Sequence, residues 1–244
     1  MPVGQAMTAR VLLSGGIDSA LCLVLALRSN RDVEAVAIDY GQRHAVPELA
    51  SAVLIAQVLS VPLSIVRGVS VASGALTGEE GDLDSSGAVI PGRNKALLRV
   101  AGWHGGRASE VWIGATADDF ESFEDCRRGY FDALELEWGL AIRSPLVVKT
   151  KAEIVAMFHE HGASNLLPYT HSCYQGGRLA CGFCGACRGR AQAFYSIGLK
   201  DPGAYENRAL LSPCEFCGAD PGVRCHHPSH GWTAPHKGRA ARCG

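Results

Sequence analysis

The sequence predicts an α/β fold in which a doubly wound parallel sheet is followed by a zinc-binding C-terminal region. Short apolar runs alternate with helical patterns along most of the chain, which is typical of parallel sheets built from β-α-β units. A loop rich in serine and glycine separates the first apolar run from the first helix. Eight of the ten cysteines lie between Cys173 and Cys243, and this clustering indicates bound metal.

The predicted elements follow from the spacing of apolar residues. Residues 10–13 form a short apolar run like those of buried parallel strands, and residues 19–29 are apolar almost throughout, as in a buried helix. Residues 48–60 carry apolar side chains three and four positions apart, which predicts an amphipathic helix. The other predicted elements are strand 34–39, strand 64–69, helix 94–103, strand 110–115, helix 123–138, strand 140–144, helix 151–161 and helix 186–197.

Length and composition limit the organisation of the chain. Its 244 residues, 47% of them hydrophobic, suffice for one substantial domain and a small appendage. We predict a main domain over 9–205 and a small Cys/His-rich tail over 206–244. The formal charge of −1 provides no overall basic field for nucleic acid. No apolar run is long enough to span a membrane and no signal peptide is recognisable, so we expect a cytoplasmic protein.

The loop between the first strand and the first helix has the composition of an anion-binding site. It reads Ser14-Gly15-Gly16-Ile17-Asp18-Ser19. The glycines let backbone N–H groups close on a phosphate, and the next helix points its free N–H groups and positive dipole end at the same place. Both serines can donate to phosphate oxygens, and Asp18 can hold Mg²⁺. The loop is neither a Walker loop nor a Rossmann fingerprint, and the alternative is a glycine-rich turn that binds nothing.

In its position between a strand and a helix, this loop resembles the signature of the ATP-pyrophosphatase superfamily. Members of that superfamily bind the pyrophosphate end of ATP and transfer AMP to an acceptor oxygen. The resemblance implies a PP-loop, Rossmann-like fold of the adenine nucleotide alpha hydrolase type, with ATP and Mg²⁺ as ligands. The loop indicates the superfamily and leaves the acceptor open.

Four further segments narrow the choice of acceptor. They are Asp39-Tyr-Gly-Gln-Arg-His44, Pro91-Gly-Arg-Asn94, Phe123-Glu-Asp-Cys-Arg127 and the cysteine group between 173 and 187. We call the loop over residues 14–19 the phosphate loop. Together with it, the four segments form an ordered set that resembles the 7-cyano-7-deazaguanine synthase family over about residues 10–205. Two departures are visible: Ala20 stands where the family usually has Thr, and Ser-Phe-Glu precedes Asp125 where the family usually has Tyr-Pro. The second departure bears on the identity of the substrate.

The resemblance implies conversion of 7-carboxy-7-deazaguanine, ammonia and ATP into 7-cyano-7-deazaguanine, through an adenylated carboxylate and an adenylated amide. It implies that Arg43 or Arg93 pairs with the substrate carboxylate, and that Asp125 recognises the guanine-like N–H edge. Asp39 and Tyr40 are expected beside the nucleotide, because ligands of doubly wound sheets bind at the carboxyl ends of strands. The alternative is that Arg43 is a surface cation, that His44 caps the next helix, and that Arg93 and Asn94 simply begin a helix. The candidate catalytic residues are Asp18, Ser19, Arg43, Arg93 and Asp125.

The first cysteine group has the spacing of a structural metal site. Cys173, Cys181, Cys184 and Cys187 form a Cys-x7-Cys-x2-Cys-x2-Cys pattern. Four thiolates complete the tetrahedral coordination of Zn²⁺ and leave no open position, and zinc is also what the resemblance implies. An iron–sulfur cluster is the alternative, because thiolates suit both metals. Arg190, three residues after the last cysteine, is expected to face solvent or to approach phosphates.

The tail carries a second possible zinc site. Cys214, Cys217 and Cys225 supply three ligands, and we choose His236 as the fourth. The other candidates for the fourth ligand are His226, His227, His230 and Cys243. So short a segment cannot bury a core, and metal must supply the folding energy if the tail is ordered. The tail has a net charge of +2 from residue 212 onward. That charge is a weak nucleic-acid signal, and the alternative is a small structural module.

Rival functions use the same phosphate loop with other acceptors. A tRNA thiolase needs a catalytic cysteine and an RNA surface, a related ligase can modify tRNA, DNA or protein, and a non-catalytic nucleotide sensor needs a degenerate loop. We expect small-molecule substrates, with nucleic acid not required for the core reaction and no membrane partner. Free ammonia is the expected nitrogen source, because no segment is suited to glutamine hydrolysis. The resemblance also implies a possible homodimer.

Overall fold

The fold is built on a parallel sheet. The computed structural model describes residues 8–30, 32–78, 89–119, 124–207, 209–227 and 231–233. Five parallel strands lie in the order β3-β2-β1-β4-β5. The strands are β1 (Ala9–Leu12), β2 (Val33–Asp39), β3 (Leu63–Arg67), β4 (Glu110–Trp112) and β5 (Ala141–Arg143). The predicted doubly wound sheet is confirmed. The order of the strands reverses between β1 and β4, where such sheets bind ligands.

Helices cover both faces of the sheet. They are α1 (Ile17–Ser29), α2 (Ala45–Val58), α3 (Arg93–Trp103), α4 (Arg128–Trp138), α5 (Lys151–Glu160) and α6 (Gly185–Ser196). On β2, Ala35 and Ala37 face the core formed with α1, α2 and α5, whereas Val36 and Ile38 face the core formed with α3 and α4. Burial of both faces explains why the strands are apolar without alternation. None of the described helices is long and apolar enough to cross a membrane.

The largest departure from the predicted elements concerns the helix expected over 123–138. A short 3-10 turn over Glu124–Cys126 comes first, and α4 begins only at Arg128. The Asn94 backbone N–H donates to Asp125 Oδ2 at 3.1 Å, and the Asn94 side-chain amide donates to the Asp125 carbonyl oxygen at 3.1 Å. These contacts with α3 hold the turn apart from α4. Residue 123, the predicted start, lies outside the described residues.

The described residues between β3 and α3 pack on the domain. A 3-10 turn spans Ala75–Thr77, and the side chains of Leu76 and Ile90 are almost fully buried in the core under α3 and α4. Residues 79–88 lie outside the described part of the chain. The described ends therefore pack as part of the domain, and Leu76 reaches the cleft at the edge of the sheet.

Arg190 holds α6 in place from inside the protein. Its side chain is only 2% exposed, so the expectation that it faces solvent or phosphates is wrong. All five guanidinium N–H groups have acceptors: Nε and Nη2 donate to Asp201, Nη1 to the Thr170 carbonyl and hydroxyl oxygens, and Nη2 also to the Leu167 carbonyl oxygen. Arg190 thus joins α6 to two irregular segments of backbone.

The tail packs against α6. Its hairpin consists of β6 (Cys225–His227) and β7 (Gly231–Thr233), which pair antiparallel. Gly222 has φ +78° and lies so close to the Arg188 carbonyl oxygen that a Cβ there would clash with it. Gly182 makes a similar approach to the Asn207 carbonyl oxygen. The predicted boundary between 205 and 206 therefore falls within residues that pack closely on the main domain, and it stays a prediction.

Candidate functional site

The phosphate loop makes a tight turn from β1 into α1. Gly15 has φ +87°, and a Cβ on it would lie 2.5 Å from the Glu48 carbonyl oxygen, so only glycine fits. Gly16 is the N-cap of α1 and has no side chain to cover the free N–H groups of the first turn. The Ser14 and Ser19 hydroxyl oxygens lie 3.1 Å apart at the same helix end. The arrangement presents backbone and hydroxyl donors to an anion at this point.

Asp18 and Lys151 form an ion pair beside the loop. The Lys151 ammonium donates to Asp18 Oδ2 at 2.7 Å, and the two side chains are 24% and 22% exposed. Asp18 Oδ1 is buried and has no hydrogen-bond partner among the described residues. Burial raises the pKa of Asp18, although Lys151 acts in the opposite direction. The pair places one cation and one free carboxylate oxygen at the phosphate loop.

Neighbouring backbone fixes Lys151 and Asp18 in position. The Lys151 backbone N–H donates to Asp118 Oδ2 at 2.7 Å, and Asp119 Oδ2 accepts from the Thr116 backbone N–H and hydroxyl. Gly114, just after β4, lies against the backbone of Asp18, where a Cβ would come within 2.8 Å of the carbonyl carbon. Sequence reasoning assigned no role to Lys151. The available signal was its place at the first position of α5, where a cation opposes the helix dipole.

The cleft above the carboxyl ends of β1, β2 and β4 has two adjoining parts. The arginine cavity, of about 240 Å³, contains Arg93, Tyr40 and Asn94, and the lysine cavity, of about 640 Å³, contains Lys151 and Asp118. Six residues line both cavities: Ser14, Asp18, His44, Glu48, Asp119 and Tyr174. The phosphate loop therefore lies at the junction of the two cavities.

Arg93 is the cation of the arginine cavity. Burial lowers the pKa of its guanidinium, but Tyr40, Asp125 and Tyr174 outweigh that effect and the pKa rises. Burial also raises the pKa of Tyr40, against an opposing effect of Arg93. Cys126 lines the same cavity, and burial raises its pKa to about 12, so the thiol is a neutral part of the wall. Among the described lining residues, the positive charge of Arg93 therefore faces phenolic and apolar side chains together with the carboxyl groups of Asp18, Glu48 and Asp119.

Three predicted site residues lie apart from the cleft surface. Asp39 Oδ1 accepts from the Gly41 backbone N–H at 3.0 Å and closes the turn after β2. Arg43 is exposed, whereas Asp125 holds the start of α3 through the Asn94 backbone N–H. None of the three is among the described residues that line either cavity. Of the two predicted arginines, the geometry favours Arg93 for contact with an acceptor.

The segment after β2 is fixed by Gln42. This buried side chain accepts from the Tyr40 backbone N–H at 2.9 Å and donates to the Ile38 carbonyl oxygen and to Glu48 Oε2. The same segment carries His44, whose ring packs against Tyr174 with centroids 5.7 Å apart. From the sequence, His44 is part of a motif with no assigned chemistry, or else a capping residue of the next helix. It is the N-cap residue of α2, but its side chain makes no capping hydrogen bond. The structure places it at the junction of the two cavities.

The first cysteine group is assembled as a metal site. The sulfur atoms of Cys173, Cys181, Cys184 and Cys187 lie within 4.8 Å of one another, and all four residues are buried. Backbone N–H groups of Cys181 and Gln175 donate to the Cys173 sulfur, and those of Phe183 and Cys184 donate to the Cys181 sulfur. Four converging, buried sulfur atoms, two of which accept backbone N–H groups, are a ligand set that fits a metal ion.

Comparison with known proteins decides the family. The family model described as queuosine biosynthesis protein QueC matches residues 8–198. The chain belongs to the QueC family. The resemblance inferred from the ordered motifs is thereby confirmed, and the match includes the phosphate loop, the cleft and the first cysteine group.

Curated relatives agree with the QueC assignment. The 7-cyano-7-deazaguanine synthase of Thermoplasma acidophilum is 36% identical over 221 residues, which cover 80% of this chain and 91% of that protein. The enzyme of the same name from Archaeoglobus fulgidus is 36% identical and covers 80% of this chain and 89% of that protein. The one from Nitrosomonas europaea is 37% identical over 226 residues, 82% of this chain and 97% of that protein.

The second cysteine group lies beyond the QueC match. The sulfur atoms of Cys214, Cys217 and Cys225 lie within 4.8 Å of one another. Backbone N–H groups of His226 and Ala219 donate to the Cys217 sulfur and lower its pKa to about 6. The side chain of His226 is described and is not part of the cluster. His236, the predicted fourth ligand, lies outside the described residues, so three of four predicted ligands are brought together.

Proposed function

We propose that this chain converts 7-carboxy-7-deazaguanine, ammonia and ATP into 7-cyano-7-deazaguanine, AMP and pyrophosphate. The observation that carries the proposal is the cleft of this QueC family member, in which the phosphate loop and the Asp18–Lys151 pair lie where the arginine cavity adjoins the lysine cavity. Its relatives are named for this reaction. A carboxylate resists ammonia because its charge repels nucleophiles, and adenylation removes that charge and creates a leaving group.

The phosphate loop is the proposed site of ATP. Ser14, Gly15, Gly16, Ile17 and Ser19 supply the helix end, with its backbone N–H groups and hydroxyls, that would hold the pyrophosphate. Lys151 stands where it can offset the charge that develops as pyrophosphate departs. The unpartnered Asp18 Oδ1 fits a divalent cation, so Mg²⁺ is the proposed ligand there, and it would shield phosphate charge.

The arginine cavity is the proposed site of the deazaguanine. Arg93 would pair with the substrate carboxylate before adenylation, and Tyr40 and Tyr174 offer flat surfaces to a planar base. Ammonia attack on the adenylate gives the amide. A second adenylation, on the amide oxygen, allows elimination to the nitrile. One phosphate loop serves both activations, because each is attack of an oxygen on the α-phosphorus of ATP.

Zinc is the metal proposed for both cysteine groups. Four converging thiols leave no open coordination position at the first group, which suits a structural ion. At the second group, we propose His236 as the fourth ligand, completing a Cys3His site. We also propose a homodimer and a tail that starts at residue 206.

The decisive experiment follows product formation by mass spectrometry. Purified protein is incubated with 7-carboxy-7-deazaguanine, ammonium, Mg²⁺ and ATP, with the Asp18→Ala variant as the inactive control. Nitrile, AMP and pyrophosphate are expected from the wild type, and none from the variant, which should keep its fold and zinc. Wild-type protein that binds ATP but consumes no deazaguanine would refute the assigned substrate, and full activity of Asp18→Ala would refute the role of the loop.

A second candidate is a ligase that transfers to a macromolecule. The tail favours it, since the second cysteine group lies beyond the QueC match and a small-molecule reaction does not require it. Release of AMP that depends on added tRNA, DNA or protein, with no consumption of the free acid, would support this candidate instead.

A further inference from the structure

His44 occupies the junction of the cleft with one ring nitrogen free. Its side chain is 5% exposed, and among the described histidines it alone lines both cavities. His44 Nε2 lies 3.6 Å from Glu48 Oε1. His44 Nδ1 is buried and has no hydrogen-bond partner in the described part of the chain. A buried imidazole nitrogen without a partner is costly, so its presence in a cleft points to a ligand or a reacting group.

The surroundings of the ring determine which nitrogen carries the proton. Glu48 Oε1, a carboxylate acceptor, lies 3.6 Å from Nε2, so we place the hydrogen of the neutral ring on Nε2. The lone pair is then on Nδ1. Glu48 itself is held by Gln42, whose amide donates to Oε2 at 3.1 Å. This carboxylate–imidazole order orients the ring and stabilises the imidazolium if Nδ1 takes up a proton.

We propose that His44 Nδ1 accepts the protons that nitrogen loses during amide and nitrile formation, and that Glu48 positions the ring. The proposal rests on the proposed function. Adenylation brings the substrate carboxyl group to the phosphate loop, whose residues Ser14 and Asp18 line both cavities together with His44. In this arrangement the carbon that ammonia attacks would lie at the junction that His44 lines.

Ammonia and the adenylated carboxyl group first form an adduct that can expel either ammonia or AMP. The proton acceptor determines which of the two leaves. The ammonia lone pair forms the C–N bond to the adenylated carbonyl carbon. Unless the new ammonium group loses a proton, the adduct expels ammonia again. With that proton on His44 Nδ1, the C–O bond to AMP breaks, and its electron pair leaves on the AMP oxygen. In the second stage, His44 Nδ1 accepts the first N–H proton of the adenylated amide and passes it to solvent before it accepts the second. The electron pair of the second N–H bond forms the third C–N bond, and the C–O bond breaks with its electron pair on the AMP oxygen.

The test separates adenylation from attack by nitrogen. His44→Asn keeps a polar atom near the position of Nδ1 but cannot accept a proton, and Glu48→Gln keeps the shape of the positioning residue. Adenylation is measured in the absence of ammonia, as exchange of labelled pyrophosphate into ATP that requires 7-carboxy-7-deazaguanine. Amide formation is measured with ammonia and, separately, hydroxamate formation with hydroxylamine, whose adduct loses its proton readily to water. His104→Asn, at an exposed histidine away from both cavities, is the matched control.

The proposal predicts that His44→Asn impairs amide formation but not adenylation. His44→Asn should keep pyrophosphate exchange and hydroxamate formation within a few-fold of wild type, while amide formation from ammonia falls about 100-fold or more. Glu48→Gln should show a smaller loss of the same kind. Wild-type amide formation by His44→Asn would overturn the proposal, as would a parallel loss of exchange and hydroxamate. If wild-type protein showed no pyrophosphate exchange that requires 7-carboxy-7-deazaguanine, the proposed function would be overturned, and this inference with it.

Discussion

At the scale of single residues, the site contains a charged side chain, Lys151, at a position where its charge disfavours the local helix. Lys151 begins α5, although a cation at a helix N-terminus opposes the dipole. The helix end is otherwise well capped, since Thr150 and Glu153 form a reciprocal capping box. The position of Lys151 therefore serves its contact with Asp18 rather than the helix. Residues that violate a local preference, as Lys151 violates the preference against cations at helix N-termini, are expected at functional sites.

Replacing Lys151 should affect chemistry far more than folding. Lys151→Gln removes the charge that faces the phosphate loop, and we expect the rate of AMP formation to fall about 10²–10³-fold. Lys149→Gln is the matched control, because in the described part of the chain Lys149 pairs with Glu153 on the surface, and it should keep the wild-type rate. Steady-state kinetics at saturating ATP, with thermal unfolding of both variants, provides the check. Equal losses in the two variants would contradict the role given to Lys151.

Residue identities were easier to predict than residue roles. The motif containing Asp39, Arg43 and His44 correctly marked the carboxyl end of β2, because strand ends follow from apolar patterning. Which side chains enter the cleft depends on the turn after β2. There Gln42 and Asp39 bind backbone groups, whereas Arg43 is exposed and His44 is buried. Such contacts form only in the folded chain, so the sequence could not choose between Arg43 and Arg93.

At the scale of elements, periodicity predicted where helices and strands occur, but not how tertiary contacts divide them. The apolar pattern over 123–138 is continuous with α4, yet Asn94 binds Asp125 and separates a 3-10 turn from the helix. The basic residues after Cys187 show the same limit. A sequence pattern cannot reveal that Arg190 is enclosed, because its partners lie 11 to 23 residues away in the chain.

The attachment of α6 should be sensitive to loss of the Arg190–Asp201 pair. Burial raises the pKa of Asp201, but Arg190, Tyr205 and the Gly203 N–H outweigh it and hold the pKa below its ordinary value. Asp201→Asn leaves a buried, uncompensated guanidinium, and we expect a loss of about 3–5 kcal/mol in unfolding free energy. Urea unfolding at pH 7 measures this loss.

The same pair should also give a particular dependence on pH. A carboxyl group with a lowered pKa contributes its full stability above the unfolded pKa, about 3.9, and loses it as pH falls toward the folded pKa. The difference between wild type and Asp201→Asn should therefore be constant near neutrality and shrink below about pH 4. A difference that grows on acidification would show that the pKa of Asp201 is raised instead.

At the scale of the whole molecule, two cysteine groups lie around one helix. Cys184 and Cys187 lie at the start of α6, and the tail touches the same helix where Gly222 meets the Arg188 carbonyl oxygen. The first group lies within the QueC match, which ends at residue 198, and the second lies outside it. The fold and the first group were predictable because ordered motifs define them. The contact between tail and α6 was not, because nothing in the sequence spacing indicates it.

Loss of the second metal site should therefore weaken the tail without removing the reaction. Cys214→Ser and Cys217→Ser each delete one of three converging thiols, and we expect bound zinc to fall from two ions per chain to one. Nitrile formation should remain within a few-fold of wild type, because the cleft is formed by residues of the QueC match. Metal analysis of the purified variants, read beside Cys22→Ser as a buried cysteine outside both groups, measures the stoichiometry. Two ions in the variants, or complete loss of nitrile formation while the first ion remains bound, would show that the tail belongs to the catalytic unit.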